Sequence, residues 1–246
     1  MITNRESGTR VDEIAEGIYR ISTPIPPESF PGGFTFNQFL IDDDEPLLFH
    51  TGPRRLFPLV CEAIASVMPV SRLRHVSFSH FEADECGSLN EFLAAAPQAL
   101  PLCGELAADV SVRDVADRAP QTLADGAERA LGRHQVRFLY TPHVPHAWEC
   151  GYLFETRTRT LLCGDLFTQG GHEHAPLTES DILGPSEAMR AGLDYWAHAP
   201  DSRRTLERLA GLRPLTLACM HGASWRGDGA QPLRALAAAL EKSAAR

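Results

Sequence analysis

The stretch Val-Ser-Phe-Ser-His-Phe-Glu-Ala-Asp-Glu-Cys-Gly-Ser, residues 76–88, places four side chains that can bind a metal within six positions. These side chains are His80, Glu82, Asp84 and Glu85. The apolar spacing indicates a half-buried strand before them and a helix after them, so they lie in a loop at a strand end. Such a loop can present several side chains to one point on a rigid sheet. We interpret this density of imidazole and carboxylate as a metal site rather than as an acidic, solvated loop.

The rest of the chain alternates between strand and helix patterns. Strands are predicted at 17–22, 34–41, 46–50, 76–78, 99–103, 136–140, 150–155, 160–164 and 215–219. Helices are predicted at 56–67, 89–96, 105–118, 122–131, 186–197, 202–211 and 230–244. Ser88 and Glu91 have the spacing of a capping box, which predicts a helix start at Ser88. The acidic turn 42–45 is expected to be solvated, and no linker divides the chain, so we expect one domain over residues 1–246.

Composition narrows the class of protein. The chain has 246 residues, of which 43% are hydrophobic and 22% charged, as in ordinary globular proteins and unlike disordered or fibrous ones. A net charge of -9 argues against nucleic acid or an anionic membrane as the main partner. The six cysteines form no Cys-x-x-Cys pair, which argues against a zinc ribbon or a redox dithiol. Without a signal-peptide pattern or a bilayer-length apolar run, we expect a cytoplasmic, reducing location.

Further metal-ligand candidates follow other predicted strands. They are His143 or His146 after 136–140, Asp165 after 160–164, and His221 after 215–219. Together with the four in the loop they are too many for one zinc ion, and they suit two metals that share a carboxylate. A mixture of imidazole and carboxylate without thiolate favours iron or manganese, although zinc fits as well. His172 and His174 lie in a long predicted loop, where histidines are more often exposed than bound to a metal.

Residues 79–89 resemble the metal loop of the metallo-beta-lactamase superfamily, in the His-x-Glu-x-Asp version of flavodiiron proteins and their oxygen-binding di-iron (ODP) domain. Five further segments carry the resemblance, at residues 13–21, 36–41, 50–52, 162–165 and 221–225. The resemblance implies an α/β fold, the αββα sandwich of that superfamily, with the site at one edge of the sheets. It also implies a chain without the flavodoxin-like FMN domain of full-length flavodiiron proteins.

The resemblance further implies two iron sites. The first iron would be held by His80, Glu82, His143 and Asp165, and the second by Asp84, Asp165 and His221. Asp165 would bridge the two irons, and Asp84 and Asp165 are the candidate catalytic residues.

Two positions leave alternatives open. His143 is preferred over His146 because His143-Val-Pro145 matches the His-x-Pro pattern of the family, while His146 is a candidate supporting donor or replacement ligand. Where the family normally has a second-iron histidine this chain has Glu85, which would bind as a carboxylate, support the loop, or leave that metal weakly held.

Three functions are compatible with such a site. The first is a di-iron oxidoreductase that binds or reduces O2 or NO with electrons from a separate donor protein. The second is a zinc-type hydrolase of an ester, lactone or thioester, which the carboxylates and the missing second-metal histidine disfavour. The third is a non-enzymatic di-iron oxygen sensor. Related proteins commonly dimerise, so a homodimer is expected from the resemblance.

Overall fold

Two mixed sheets face each other in the computed structural model, which describes residues 1–244 of the domain expected over 1–246. In the first sheet, spatial order follows chain order through β1 (Arg10–Ala15), β2 (Ile18–Ile25), β3 (Phe34–Ile41), β4 (Leu47–Phe49), β5 (His75–Ser77), β6 (Leu100–Gly104) and β7 (Gln121–Leu123). The pairs from β1 to β4 are antiparallel, and those from β4 to β7 are parallel.

The second sheet is built from the later half of the chain. Its strands are β8 (Glu128–Ala130), β9 (Gln135–Tyr140), β10 (Gly151–Glu155), β11 (Thr160–Leu162), β12 (Leu177–Thr178), β13 (Thr216–Ala218) and β14 (Ser224–Arg226). Their spatial order is β12, β14, β13, β11, β10, β9, β8. The short strands β12 and β14 had no counterpart in the sequence prediction.

Helices cover the outer faces of both sheets. They are α1 (Phe57–Ala65), α2 (Ala83–Cys86), α3 (Leu89–Ala95), α4 (Glu105–Ala107), α5 (Arg113–Val115), α6 (Leu183–Gly192), α7 (Ser202–Gly211) and α8 (Ala230–Ala244). A π-helical stretch, Ala108–Val112, joins α4 to α5, and short 3-10 turns cover Arg54–Leu56 and Val70–Arg72. Within residues 1–244, none of the helices has the length and apolarity to cross a bilayer.

Three apolar clusters hold the four layers together. One lies between the first sheet and α1 and α3, a second lies between the second sheet and α7 and α8, and a third fills the space between the sheets. In β2, Ile21 packs in the first of these clusters and Ile18 in the third, as the alternation along a strand requires. The predicted αββα sandwich is confirmed.

Three local predictions are corrected by the structure. Residues 122–131 are no helix: β7 pairs with β6 and β8 with β9, because these sheet contacts outweigh the helical propensity of a short Ala- and Arg-rich segment. The capping box does not form, since the Ser88 hydroxyl donates to the carbonyls of Gly52 and Pro53. The turn 42–45 is not simply solvated, because Asp43 is buried and accepts a 2.6 Å hydrogen bond from the His134 amide.

Candidate metal centre

Four loops from both sheets bring six metal-ligand candidates to one point. The loop after β5 carries His80 and Glu82, the helix α2 that follows it, rather than the predicted loop, carries Asp84, and the loops after β9, β11 and β13 carry one each. They are His80, Glu82, Asp84, His146, Asp165 and His221. The strands that end here converge at one edge of the sandwich, which gathers side chains from distant parts of the sequence. Five of the six belong to the ligand set implied by the resemblance.

The three imidazoles are each anchored through Nδ1. His146 Nδ1 lies 2.7 Å from the Tyr195 carbonyl oxygen, and His221 Nδ1 lies 2.7 Å from the Thr35 carbonyl oxygen. His80 Nδ1 lies 3.2 Å from a Glu85 carboxylate oxygen. An oxygen partner at Nδ1 fixes the tautomer with the proton on that nitrogen. Each Nε2 is therefore the nitrogen that would bind a metal once it has lost its proton.

Asp165 divides the cluster into two subsites. Its Oδ2 lies 3.8 Å from His80 Nε2 and 3.5 Å from His146 Nε2. Its Oδ1 lies 3.1 Å from His221 Nε2, which in turn lies 3.5 Å from Asp84 Oδ2. One carboxylate oxygen thus faces each histidine group, which is the arrangement a carboxylate shared by two ions requires.

The spacing fits metal coordination. Glu82 Oε1 lies 3.4 Å from His80 Nε2 and 3.3 Å from His146 Nε2. Ligand atoms bound about 2.1 Å from one ion at a tetrahedral angle lie about 3.4 Å apart. One donor atom from each of His80, His146 and Asp165 also falls within 4.8 Å of the others. The donor set therefore fits a metal ion in the first subsite without rearrangement of the fold.

The charges of the cluster complement one another. Burial alone would raise the pKa of Asp165, but its interaction with His221 and the nearby His80 and His146 hold that pKa well below its usual range. Burial alone would lower the pKa of His221, but Asp165 and Asp84 raise it to about 10. Contacts with His146 and His80 lower the pKa of Glu82 to about 2. Asp165 and Glu82 are thus ionised and ready to bind a cation, whereas a metal must displace the proton of His221.

Glu85 is held through Oε2 by the loop that carries His80, while its Oε1 has no hydrogen-bond partner among the described residues. Its side chain is fully buried, and Oε2 accepts hydrogen bonds from the Ser79 amide at 3.2 Å, the Ser79 hydroxyl at 2.5 Å and the His80 amide at 2.9 Å. His50 Nε2 lies 3.4 Å from the same oxygen. Burial would raise the pKa of Glu85, but His50 and His80 outweigh burial and lower it. In this geometry Glu85 supports the loop that carries His80.

The loop after β9 brings His146, and not His143, to the centre. His143 has a φ of 60° and an exposed side chain, and its amide donates to the Ala147 carbonyl. His146 Nε2 reaches 2.8 Å from His80 Nε2. The preference for His143 over His146 does not match this geometry, because the turn directs the first histidine to solvent and the second inward. The His-x-Pro spacing alone carries no information about that turn.

A close approach between the sheets positions two of the loops. Gly164, directly before Asp165, has a φ of 49°, and a Cβ there would lie 2.6 Å from the Ser79 hydroxyl. The Gly151 amide, at the start of β10, donates to the Ser79 carbonyl at 2.8 Å. Glycine at 164 therefore allows the Asp165 loop to lie against the loop that carries His80.

Sequence reasoning missed the aromatic and backbone partners of the histidines. The Phe34 ring stacks on His221, with centroids 4.2 Å apart, and Tyr195 packs edge-on against His146. Thr35 and Tyr195 supply the carbonyls that hold the Nδ1 atoms. These contacts join residues far apart in sequence, so no local pattern marks them. His172 and His174 line a separate cavity, as described below.

The chain is similar to one family model and to two curated oxidoreductases. Residues 34–222 match the family described as ODP family beta lactamase. The rubredoxin-oxygen oxidoreductase of Megalodesulfovibrio gigas is 26% identical over 208 residues, which cover 80% of this chain and 50% of that protein. The nitric oxide reductase of Moorella thermoacetica is 25% identical over 217 residues, which cover 83% of this chain and 53% of that protein. The chain spans about half the length of these two relatives.

A solved structure has the same fold. The flavodiiron core of Flv1 from Synechocystis superimposes with a TM-score of 0.83 at 21% identity, over 96% of this chain and 62% of that one. At this level of identity the likeness concerns the arrangement of sheets and helices.

Proposed function

The chain belongs to the ODP family of beta-lactamase-like proteins, and we propose that it holds two iron ions and binds or reduces O2 or NO with electrons from a separate donor. The observation that carries the proposal is the shared carboxylate: Asp165 presents one oxygen to His80 and His146 and the other to His221. The names of the relatives, an oxygen oxidoreductase and a nitric oxide reductase, support the same class of chemistry.

The side chains divide into two metal-binding groups. The first ion would be held by His80, Glu82, His146 and Asp165, and the second by Asp84, His221 and Asp165. When bound, the two irons supply electrons and open coordination positions to a diatomic molecule. The second group has three protein residues and the first has four, since Oε2 of Glu85 is already bonded to Ser79 and His80. We therefore propose that the diatomic molecule binds on the side of Asp84 and His221.

The chain's own residues would orient the ions and control access to them. The Thr35 and Tyr195 carbonyls hold His221 and His146 in place, and Phe34 shields one face of His221 from water. Glu82 is half exposed, with 50% of its side-chain surface accessible, so the cluster opens to solvent on that side. With a pKa of about 2, Glu82 stays ionised and is suited to bind a cation rather than to carry protons.

Metal analysis and oxygen consumption test this proposal. Protein purified without added metal should contain about two irons per chain, as expected for a shared-carboxylate pair. After anaerobic reduction, mixing with O2 should consume the gas and restore the absorption band of paired ferric ions. The variant Asp165→Asn should lose both irons and both responses.

A zinc-loaded protein would contradict the proposal. Two zincs per chain, no oxygen-dependent absorption, and turnover of an ester, lactone or thioester would instead identify the hydrolase. Two irons that bind O2 reversibly without consuming it would identify the sensor.

A separate electron donor, a homodimer and a cytoplasmic location remain predictions. The name of the Megalodesulfovibrio relative points to a small redox protein as the class of donor. All six cysteines are free, in keeping with a reducing compartment.

A further inference from the structure

A second polar cavity lies apart from the metal centre. It has a volume of about 380 Å³ and is formed by the edge strand β1, by its neighbours β2 and β3, and by the loop 170–176. The polar side chains that line it include Arg10, Arg20, Ser22, Thr35, His172 and His174. The loop is fixed over the cavity because the Gly171 amide donates to the Gly33 carbonyl at 3.0 Å.

Arg20 forms the buried wall of this cavity. Its side chain is the largest of the fully buried ones, with 1% of its surface exposed. Nη2 donates to the Gly222 carbonyl at 2.8 Å, but Nε and Nη1 have no hydrogen-bond partner among the described residues. A buried cation with unpaired donors costs free energy unless something compensates for it.

No carboxylate of the described residues is bonded to this guanidinium. Asp12 faces Arg20 across the strand pair, but its carboxylate binds Arg10 with contacts of 2.5 and 2.9 Å. Burial lowers the pKa of Arg20 to about 10, so the group is still a cation at neutral pH. Glu173 is the acidic residue of the described lining, and its side chain is exposed.

The remaining wall is suited to an anion. Arg10 adds a second guanidinium, which is paired with Asp12, His172 and His174 add imidazoles, and the Ser22 and Thr35 hydroxyls are hydrogen-bonding groups. A guanidinium presents its donors as a planar fork that matches the oxygens of a carboxylate or phosphate. A small oxyanion would therefore supply the hydrogen-bond acceptors that Arg20 lacks within the protein.

We propose that this cavity binds a small oxyanion, of the phosphate or carboxylate class, on the guanidinium of Arg20. The site is separate from the metal centre but linked to it. Arg20 holds the Gly222 carbonyl, the Gly222 amide donates to the Thr35 hydroxyl, and the Thr35 carbonyl accepts from His221. A bound anion would thus contact the arginine that fixes the residue after a proposed metal ligand.

Calorimetric titration with inorganic phosphate, and in parallel with acetate, tests the proposal on the whole purified chain. One anion should bind per chain, and its affinity should fall about tenfold or more in Arg20→Met and in Arg10→Gln, since a charge-assisted hydrogen bond accounts for about that factor. If phosphate is the tighter probe, the site is of the phosphate type. If acetate is tighter, it is of the carboxylate type.

A matched control separates this cavity from general charge effects. Arg10 and Arg137 are each 37% exposed and each paired with a carboxylate, Asp12 for Arg10 and Glu128 for Arg137. Arg137 lies in the other sheet and does not line the cavity, so Arg137→Gln is the control for Arg10→Gln. Its anion affinity should equal that of the unaltered protein. If Arg20→Met does not fold, Arg10→Gln carries the test.

Two results would overturn the proposal. One is the absence of saturable binding of either probe. The other is binding whose affinity is unchanged in both Arg20→Met and Arg10→Gln, which would place the anion on the metal ions or elsewhere.

Discussion

The role of Glu85 gives the sharpest test of the metal centre. Replacement of Glu85 by glutamine keeps the shape of the side chain and removes its charge. Glu85 accepts three hydrogen bonds, from the Ser79 amide, the Ser79 hydroxyl and the His80 amide. A hydrogen bond to a charged acceptor contributes about 1.5–3 kcal/mol and a neutral one about 0.5–1.5 kcal/mol, so three such exchanges should lower the free energy of unfolding by about 3 kcal/mol.

The assay is urea denaturation of the metal-free protein, followed by metal titration of the same variant. The free energy of unfolding should fall by the amount given above. Iron affinity should fall about 10- to 100-fold, because Glu85 orients His80 through Nδ1. The protein should still bind two ions, since Glu85 is a supporting group in this geometry and not a ligand.

Glu155 offers a matched control away from the metals. It too is fully buried and accepts three hydrogen bonds, from the Arg157 amide, the Thr158 amide and the Thr158 hydroxyl, and it lies 3.2 Å from His134. Glu155→Gln should therefore lose a similar free energy of unfolding while its iron affinity stays unchanged.

The opposite pattern would refute the reasoning. If Glu85→Gln unfolds like the unaltered protein but binds one ion instead of two, Glu85 is a ligand of the second ion. The loop would then adopt a different conformation when metal is bound.

Three further predictions concern individual residues. His146→Ala should bind fewer than two irons while His143→Ala should bind two, by elemental analysis; the reverse result would restore the first histidine as the ligand. Gly164→Ala should lower the free energy of unfolding by about 1–3 kcal/mol, because its new methyl group would overlap the Ser79 hydroxyl; an unchanged urea midpoint would contradict this close approach. Burial would raise the pKa of Glu155, but its hydrogen bonds outweigh burial and lower the pKa below the ordinary value of 4.5. The charge of Glu155 therefore stabilises the fold above pH 4.5, and this stabilisation is lost as the pH falls through the pKa of the folded protein. The difference in unfolding free energy between the unaltered protein and Glu155→Gln should therefore shrink in acid, and a difference that stays constant down to about pH 2 would contradict it.

The resemblance implied the αββα sandwich, whereas short-range patterns predicted most of the strands and the gathering of ligand candidates. Apolar alternation marked most of the strands, and His80, Asp165 and His221 were notable for following directly after strand patterns. Strands that end at one edge of a sandwich bring such residues together whatever their separation in the chain.

The features that sequence could not predict depend on orientation. The direction of Glu85 is decided by three donors of its own loop, which compete with the metal for the carboxylate. Which of His143 and His146 faces the metal centre is decided by a turn conformation that residue types do not specify. The secondary structure of residues 122–131 is decided by their pairing with strands from other parts of the chain.

The two ends of the space between the sheets are fastened by different means. At the far end the chain closes the seam with its own hydrogen bonds, from the His134 amide to Asp43 and from the Glu45 amide to the Leu131 carbonyl. At the near end the sheets are also joined by hydrogen bonds of the chain, from the Gly151 amide to the Ser79 carbonyl and from His221 Nδ1 to the Thr35 carbonyl, and a metal held by His80 and Asp165 would add to them. One edge of the sandwich is thus joined by the chain alone, and the other would also be joined by bound metal. Metal binding would therefore add cross-links to one edge of the sandwich only, and that edge should gain more rigidity from metal than the opposite one.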